Sequence, residues 1–107
     1  MLAPKAPKHN RMKERRVRPM TMAENRHANR ILMRGCWVCG RPAQIHHERG
    51  YGSRRDHRFI AALCAENHTG PKGRHGLGHD GFEREYGINL RQRVKLEWEK
   101  SQMEIAA

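Results

Sequence analysis

Cys36-Trp37-Val38-Cys39-Gly40 is the stretch that most narrows the folds open to this chain. Two cysteines separated by two residues and followed by glycine make a tight knuckle, in which both sulfurs can grip one tetrahedral zinc ion. Cys64 is the third and last cysteine. A chain of 107 residues with 36% hydrophobic content and a mean hydropathy of -1.00 has little with which to build a core. Domains of that kind need a staple: a metal, disulfides or a partner subunit. Three cysteines cannot all pair among themselves, and Leu2 leads into a Pro- and Lys-rich stretch where a secretory segment would be apolar. The longest apolar runs fall far short of a bilayer span. The expectation is one small soluble domain in a reducing compartment, with cysteines that bind metal.

Charge narrows the partner. The formal net charge is +11 and the isoelectric point is near 10.6, a large excess for this length. Nucleic acid is the polyanion that fits best, although a solvated basic surface or a protein that merely coats RNA would carry the same charge. Residues 1–20 concentrate it: Lys5, Lys8, Arg11, Lys13, Arg15, Arg16 and Arg18 face only Glu14, and Pro4, Pro7 and Pro19 oppose regular structure. This stretch reads as a disordered basic arm that orders on phosphate, with a helix between Asn10 and Val17 as the alternative.

The remainder, 21–107, reads as one folded domain. Thr21-x-x-Glu24 has the form of a capping box and Gly35 sits where a helix would stop, which predicts a helix over 22–34. Ala28, Ile31 and Leu32 supply its apolar face. Arg26, Arg30 and Arg34 recur every four residues as a basic stripe, suited to a phosphate backbone or to plain solvation. Gln44–His47 can be a short strand, Glu48–Asp56 a Gly- and Arg-rich loop, and His57–Leu63 a second, largely buried strand, although its alanines would also suit a helix. Cys64–His68 would open a short helix. Thr69–Gly81, with glycines at 70, 73, 76, 78 and 81, should be irregular. Phe82–Tyr86 suits a helical turn that stops at Gly87. Asn89 can cap a last helix over 90–105, whose Leu90, Val94 and Trp98 form an apolar stripe while Glu97, Glu99 and Lys100 occupy other faces.

His46, His47, His57, His68, His75 and His79 share the central region with all three cysteines. Neutral imidazole suits transition metals and thiolate suits structural zinc. The two sets therefore divide into a staple made by cysteines and a reactive site made by histidines. Taken alone, His46-His47 would read as a surface pair or a core histidine, His68 has a structural zinc ligand as its lesser alternative, and His79 reads as solvent-exposed.

The ordered combination resembles a known family. Cys-x-x-Cys, then His-His closing a strand, then an apolar strand running into Leu63-Cys64-x-x-Asn67-His68 look like the HNH endonucleases, which are α+β proteins with a small zinc-stapled ββα-metal core flanked by helices. The stretch HGLGHDGFEREYGINL is similar to the phage recombination-enhancement nucleases described as RecA-dependent, and to related small phage HNH proteins. The matching positions are His75, Gly78, Phe82, Tyr86-Gly87-Ile88-Asn89-Leu90 and, loosely, Leu96 with Trp98. The resemblance covers about 36–100 and leaves the arm uncovered.

The resemblance implies roles residue by residue. His46, His68 and His75 would hold a catalytic divalent ion, Mg2+ or Mn2+; His47 would be the general base; Cys36, Cys39 and Cys64 would hold structural zinc. Two positions stay open. The family's middle residue, which holds the base, has its nearest counterparts in Asp56 and His57. Asn67 stands where relatives place Cys or His as the fourth zinc ligand, so that His79, His57 or an outside ligand would complete the set, or zinc would be weakly held or not held at all.

Chemistry supports the pattern. Phosphodiester hydrolysis needs an activated water and a cation beside the developing charge, and a histidine can take the water's proton near neutral pH. Arg49, Arg54, Arg55 and Arg58, in or beside the loop after His47, suit phosphate oxygens. Adjacent strand residues face opposite ways, so His46 and His47 can share a site only where the strand ends, at a bend that Gly50 and Gly52 permit. The expected function is a metal-dependent endonuclease acting on DNA, single-stranded or recombinase-coated DNA included, in phage or prophage recombination. By resemblance it would leave a 5′-phosphate and a 3′-hydroxyl, meet a recombinase filament and work in the bacterial cytoplasm, with no membrane partner. The rival expectation is a non-catalytic zinc-finger module that binds DNA or RNA.

Overall fold

The computed structural model describes residues 19–48 and 55–106. Most of the basic arm (1–18), Arg49, Arg54 and the bend at Gly50 and Gly52 lie outside the described residues. Among those described the protein is α+β. Helix α1 (Met22–Met33) precedes an antiparallel pair, β1 (Gln44–His47) and β2 (Ile60–Leu63), and three helices follow: α2 (Ala65–Thr69), α3 (Arg74–Tyr86) and α4 (Leu90–Ala106). No helix among the described residues is long and apolar enough to cross a membrane.

Local chemistry sets the ends of α1. The Thr21 hydroxyl accepts from the Glu24 amide at 3.1 Å, and the Glu24 carboxylate accepts from the Thr21 amide at 2.9 Å, so two donors that the first turn leaves orphaned are satisfied reciprocally. The helix stops at Gly35, whose φ of 77° favours glycine and whose Cα lies against the Gly40 carbonyl; a Cβ there would come within 2.6 Å of that oxygen. The chain then turns through the knuckle. The Gly40 amide donates to the Cys36 carbonyl at 2.8 Å and the Trp37 amide donates to the Ala62 carbonyl at 2.9 Å, which ties the knuckle to β2.

The hairpin divides the core. Gln44 pairs with Leu63 and His47 with Ile60. All four residues of β2 are fully buried, and their alternation serves two faces. Ile60 and Ala62 pack with Ala28 and Ile31 of α1, whereas Ala61 and Leu63 pack with Cys36, Cys64, Phe82, Leu90 and Val94. The strand is shorter than the 57–63 expected from sequence, because His57 and Arg58 form a turn before it.

Two expectations need correction. Thr69–Gly81 is not irregular throughout: only Gly70–Gly73 links α2 to α3, which starts at Arg74 and kinks at Gly78 (φ 74°, ψ 179°). Gly76 permits close approach rather than breaking the helix, since a Cβ there would lie 2.4 Å from the Pro71 carbonyl oxygen. Likewise Glu97 does not lie on an outer face of α4. It is 4% exposed, and Ser101 is fully buried one turn on. The ends of α4 and α3 do follow the sequence: the Asn89 side chain accepts from the Gln92 amide at 3.1 Å, and Gly87 closes α3 with a φ of 70°.

Candidate functional site

Three histidines from three elements converge. His46 comes from β1, His68 from the end of α2 and His75 from the first turn of α3. One ring nitrogen of each lies within 4.8 Å of the others, and the ring centroids are 4.7–5.2 Å apart. His46 is buried, His68 half-buried and His75 exposed, so the cluster opens to solvent on the α3 side. The gap of seven residues between His68 and His75 is bridged by the short Gly70–Gly73 link, as a loop reading requires.

The ring orientations are fixed from behind. His46 Nε2 bonds the Glu48 carboxylate at 2.9 Å, and His68 Nδ1 bonds the Gln44 side-chain oxygen at 2.9 Å. When those nitrogens donate, His46 Nδ1 and His68 Nε2 carry the lone pairs, which is how metal-binding imidazoles are usually oriented. Burial, followed by the neighbouring His46 and His75, pushes His68 down to about 4, so it is a neutral, lone-pair-bearing ring at neutral pH. Arg74 donates to both oxygens of Glu48 at 2.9 and 2.8 Å. Burial works to raise the Glu48 carboxyl, but the bonds from His46 and Arg74 outweigh it and hold it at about 2. Glu48 and Arg74 escaped the sequence reading, because only the fold brings them together; an acid directly after two histidines was the single hint.

His47 faces elsewhere. As strand neighbours, His46 and His47 project to opposite sides, and His47 lies outside the three-nitrogen group. Its Nε2 stands 3.1 Å from Nδ1 of His57, which is 7% exposed. Of the two candidates to hold His47, the structure thus brings up His57. Asp56 instead is clamped by Arg58, which donates from its backbone amide and Nε at 3.0 Å and from Nη2 at 2.7 Å. Those bonds keep the Asp56 carboxyl below its ordinary range despite partial burial.

The sulfurs make a second cluster. Cys36, Cys39 and Cys64 are free thiols with all three sulfurs within 4.8 Å of one another. A tetrahedral zinc with about 2.3 Å bonds sets its sulfurs about 3.8 Å apart. Cys39 and Cys64 stand 3.7 Å apart, so the pair fits that edge without rearrangement. Arg41 donates to Cys39 at 3.2 Å and draws that thiol down to about 7, whereas burial pushes Cys64 up. The set can hold a metal such as zinc. Neither histidine considered as its fourth ligand is there: His57 is with His47, and His79 groups with Asp80 and Glu83 on α3.

The basic stripe is only partly a surface. Arg26 and Arg55 are exposed, and Arg34 is largely so, 3.8 Å from Glu104. Arg30 is not available to phosphate. It donates to Ser101 at 2.6 Å and to the backbone and side chain of Glu97, both at 2.7 Å, between α1 and α4. Its position on the helix faces α4, which spacing within α1 alone does not reveal. Arg58 is exposed, yet its charge is met by Asp56 and its guanidinium lies over Phe59 at 5.0 Å. Trp37 packs against both core clusters beneath Arg93, 4.3 Å from the ring centroid.

Compared with family models, with curated proteins and with solved structures, the chain finds no match.

Proposed function

We propose that this protein is a metal-dependent endonuclease of the HNH type, with a ββα-metal core, that hydrolyses DNA phosphodiester bonds. The observation that carries the reading is the convergence of His46, His68 and His75, from three separate elements, on one open-sided cluster; a separate His47–His57 pair is held from the next position of β1. A binding module that needs zinc only for folding has its staple in the cysteines and no use for a second ligand set of imidazoles.

The roles divide accordingly. A divalent ion such as Mg2+ or Mn2+, when bound, supplies charge for the phosphoryl oxygens and the leaving group. His46, His68 and His75 would hold it, and Glu48 and Gln44 fix the orientation of two of those rings. His47 takes the proton of the attacking water. In this reading His57 serves as the family's middle residue: in the tautomer where His47 Nε2–H donates to His57 Nδ1, the basic lone pair is on His47 Nδ1. Arg26 and Arg55, with Arg49 and Arg54 of the sequence, supply attraction for the phosphate backbone. A recombinase-coated or single-stranded DNA substrate, and a place in phage recombination, follow from the family likeness alone.

The test begins with the wild-type protein on single-stranded, duplex and recombinase-coated DNA with Mg2+ or Mn2+. His47→Ala should keep fold, metal and DNA affinity while cleavage falls about 100-fold or more, the contribution of a general base. His68→Ala should lose divalent-ion affinity and cleavage together. Absence of nicks under every condition would give the protein to the zinc-finger reading.

A further inference from the structure

We infer that the side-chain oxygen of Asn67 is the fourth ligand of the sulfur cluster, which makes it a three-cysteine, one-asparagine zinc centre. The inference rests on the three cysteines being a zinc staple and is independent of nuclease activity.

Asn67 is 9% exposed and lies on α2, three residues after Cys64. Its Oδ1 stands 3.0 Å from the Cys64 sulfur and 3.4 Å from the Cys36 sulfur. A zinc ion with sulfur at about 2.3 Å and oxygen at about 2.0–2.2 Å sets those atoms about 3.6 Å apart along a tetrahedral edge. The oxygen therefore stands close to two of the three sulfurs, about 0.2 Å inside that edge length at Cys36 and about 0.6 Å inside it at Cys64, a placement from which a small shift makes it a ligand.

The amide is held in that sense by its neighbours. Tyr86 donates its single hydroxyl proton to the Lys72 carbonyl at 2.7 Å, which leaves that oxygen able only to accept. Asn67 Nδ2 lies 3.4 Å from it and is the donor it can accept. With the nitrogen committed to Tyr86, Oδ1 must face the sulfurs. An amide oxygen packed against sulfurs is tolerable only when each sulfur offers a proton or when a cation lies among them. Once the thiols ionise, the cation is what keeps the corner from being repulsive.

Charge agrees. Three thiolates and Zn2+ sum to a single negative charge, and a neutral amide adds none. Arg41 sits against Cys39 at 3.2 Å and Cys64 at 3.9 Å and, although it also pairs with Glu66 at 3.3 Å, places a cation beside that one charge. A cysteine at position 67 would double the charge to be offset. The departure at this position is therefore a change of ligand and leaves the site four-coordinate.

Cobalt(II) in place of zinc reads the site directly, because thiolate-to-cobalt charge transfer reports only metal on sulfur. In the full-length wild type, added imidazole should leave that band unchanged. Asn67→Ala should bind cobalt about tenfold or more weakly, and imidazole should now shift its band by entering the vacated corner. Asn67→Cys should intensify the band and tighten binding, since a thiolate at the same corner reaches the metal. Tyr86→Phe, which releases the amide, should weaken binding by less than Asn67→Ala. The inference is overturned if imidazole shifts the wild-type band, if Asn67→Ala holds cobalt as tightly as wild type, or if Asn67→Cys adds no thiolate band. Should Asn67→Ala fail to fold, the wild-type imidazole titration and Asn67→Cys decide the matter. Failure of the wild type to develop any thiolate band overturns the staple and this inference together, and leaves the His47 test of nuclease activity standing.

Discussion

Glu48 shows how much a single side chain can carry in so small a protein. Its carboxylate is 1% exposed, wedged between His46 and Arg74. A lone buried carboxylate would favour its neutral form; here two partners reverse that and bring the group from 4.5 to about 2. The sign follows. Because the folded-state value lies below the unfolded one, the stabilisation is fully present above pH 4.5 and is lost as pH falls from 4.5 toward 2. The shift corresponds to about 3 kcal/mol. Glu48→Gln should lose a similar amount at neutral pH, and its stability should fall less steeply than wild type over that acid range. Urea unfolding across pH reads both; parallel curves for the two proteins would show that the Glu48 carboxyl binds its proton equally well folded and unfolded. The same variant should bind a divalent ion at the histidine cluster about 10–100-fold more weakly, since His46 loses the group that orients it.

The contact between α1 and α4 shows what one element reveals about itself and what it does not. The start of α1 was readable because a capping box is local: Thr21 and Glu24 satisfy each other within one turn. The start of α4 was readable for the same reason at Asn89. What the α1 face does was not. His27 is fully buried, with Nδ1 2.6 Å from the Ser101 hydroxyl, Nε2 3.0 Å from the Arg58 carbonyl and Trp98 edge-on at 5.0 Å. Arg30 and Glu97 complete that polar seam. Its partners lie far apart in sequence, so no periodicity within α1 identifies them. The cysteine cluster was readable from spacing, whereas the histidine cluster could be anticipated only through its likeness to a family. Burial lowers the His27 pKa below 6.5, against the raising effect of its bond to the Arg58 carbonyl. His27 therefore stays neutral in the fold where the unfolded chain takes up a proton. Its contribution is fully present above pH 6.5 and declines as pH drops below it. His27→Gln should shrink that decline, measured as the difference in unfolding free energy between the two proteins at pH 7 and pH 5.5. An unchanged difference would mean that His27 binds its proton equally well in the fold and in the unfolded chain.

At the scale of the molecule the question is what keeps the fold together. Among the described residues the fully buried large apolar side chains are few: Phe82, Ile31, Ile60, Leu63, Leu90 and Val94 lead them. Each contributes about 1.5–3 kcal/mol on burial, while fixing the backbone of every ordered residue costs about 1–2 kcal/mol. Two short strands cannot close that difference alone. The sulfur cluster lies where it can, joining the knuckle before β1 to the end of β2 and the start of α2, with Cys36 and Cys64 packed into the same core cluster as Phe82 and Leu90. Zinc held there would tie the hairpin to the helices, and its binding free energy becomes folding free energy because the unfolded chain offers no formed site. Chelation should therefore lower the melting temperature and broaden the transition, and readdition of zinc should restore both. Cys36→Ser should have the effect of chelation, and a chelator added to that variant should do little more, since both remove the same interaction. Calorimetry with metal analysis on the two proteins, with and without chelator, reads all four states. Additive losses would show that Cys36 stabilises the core by packing, and an unchanged melting temperature on chelation would remove metal from the account of the fold.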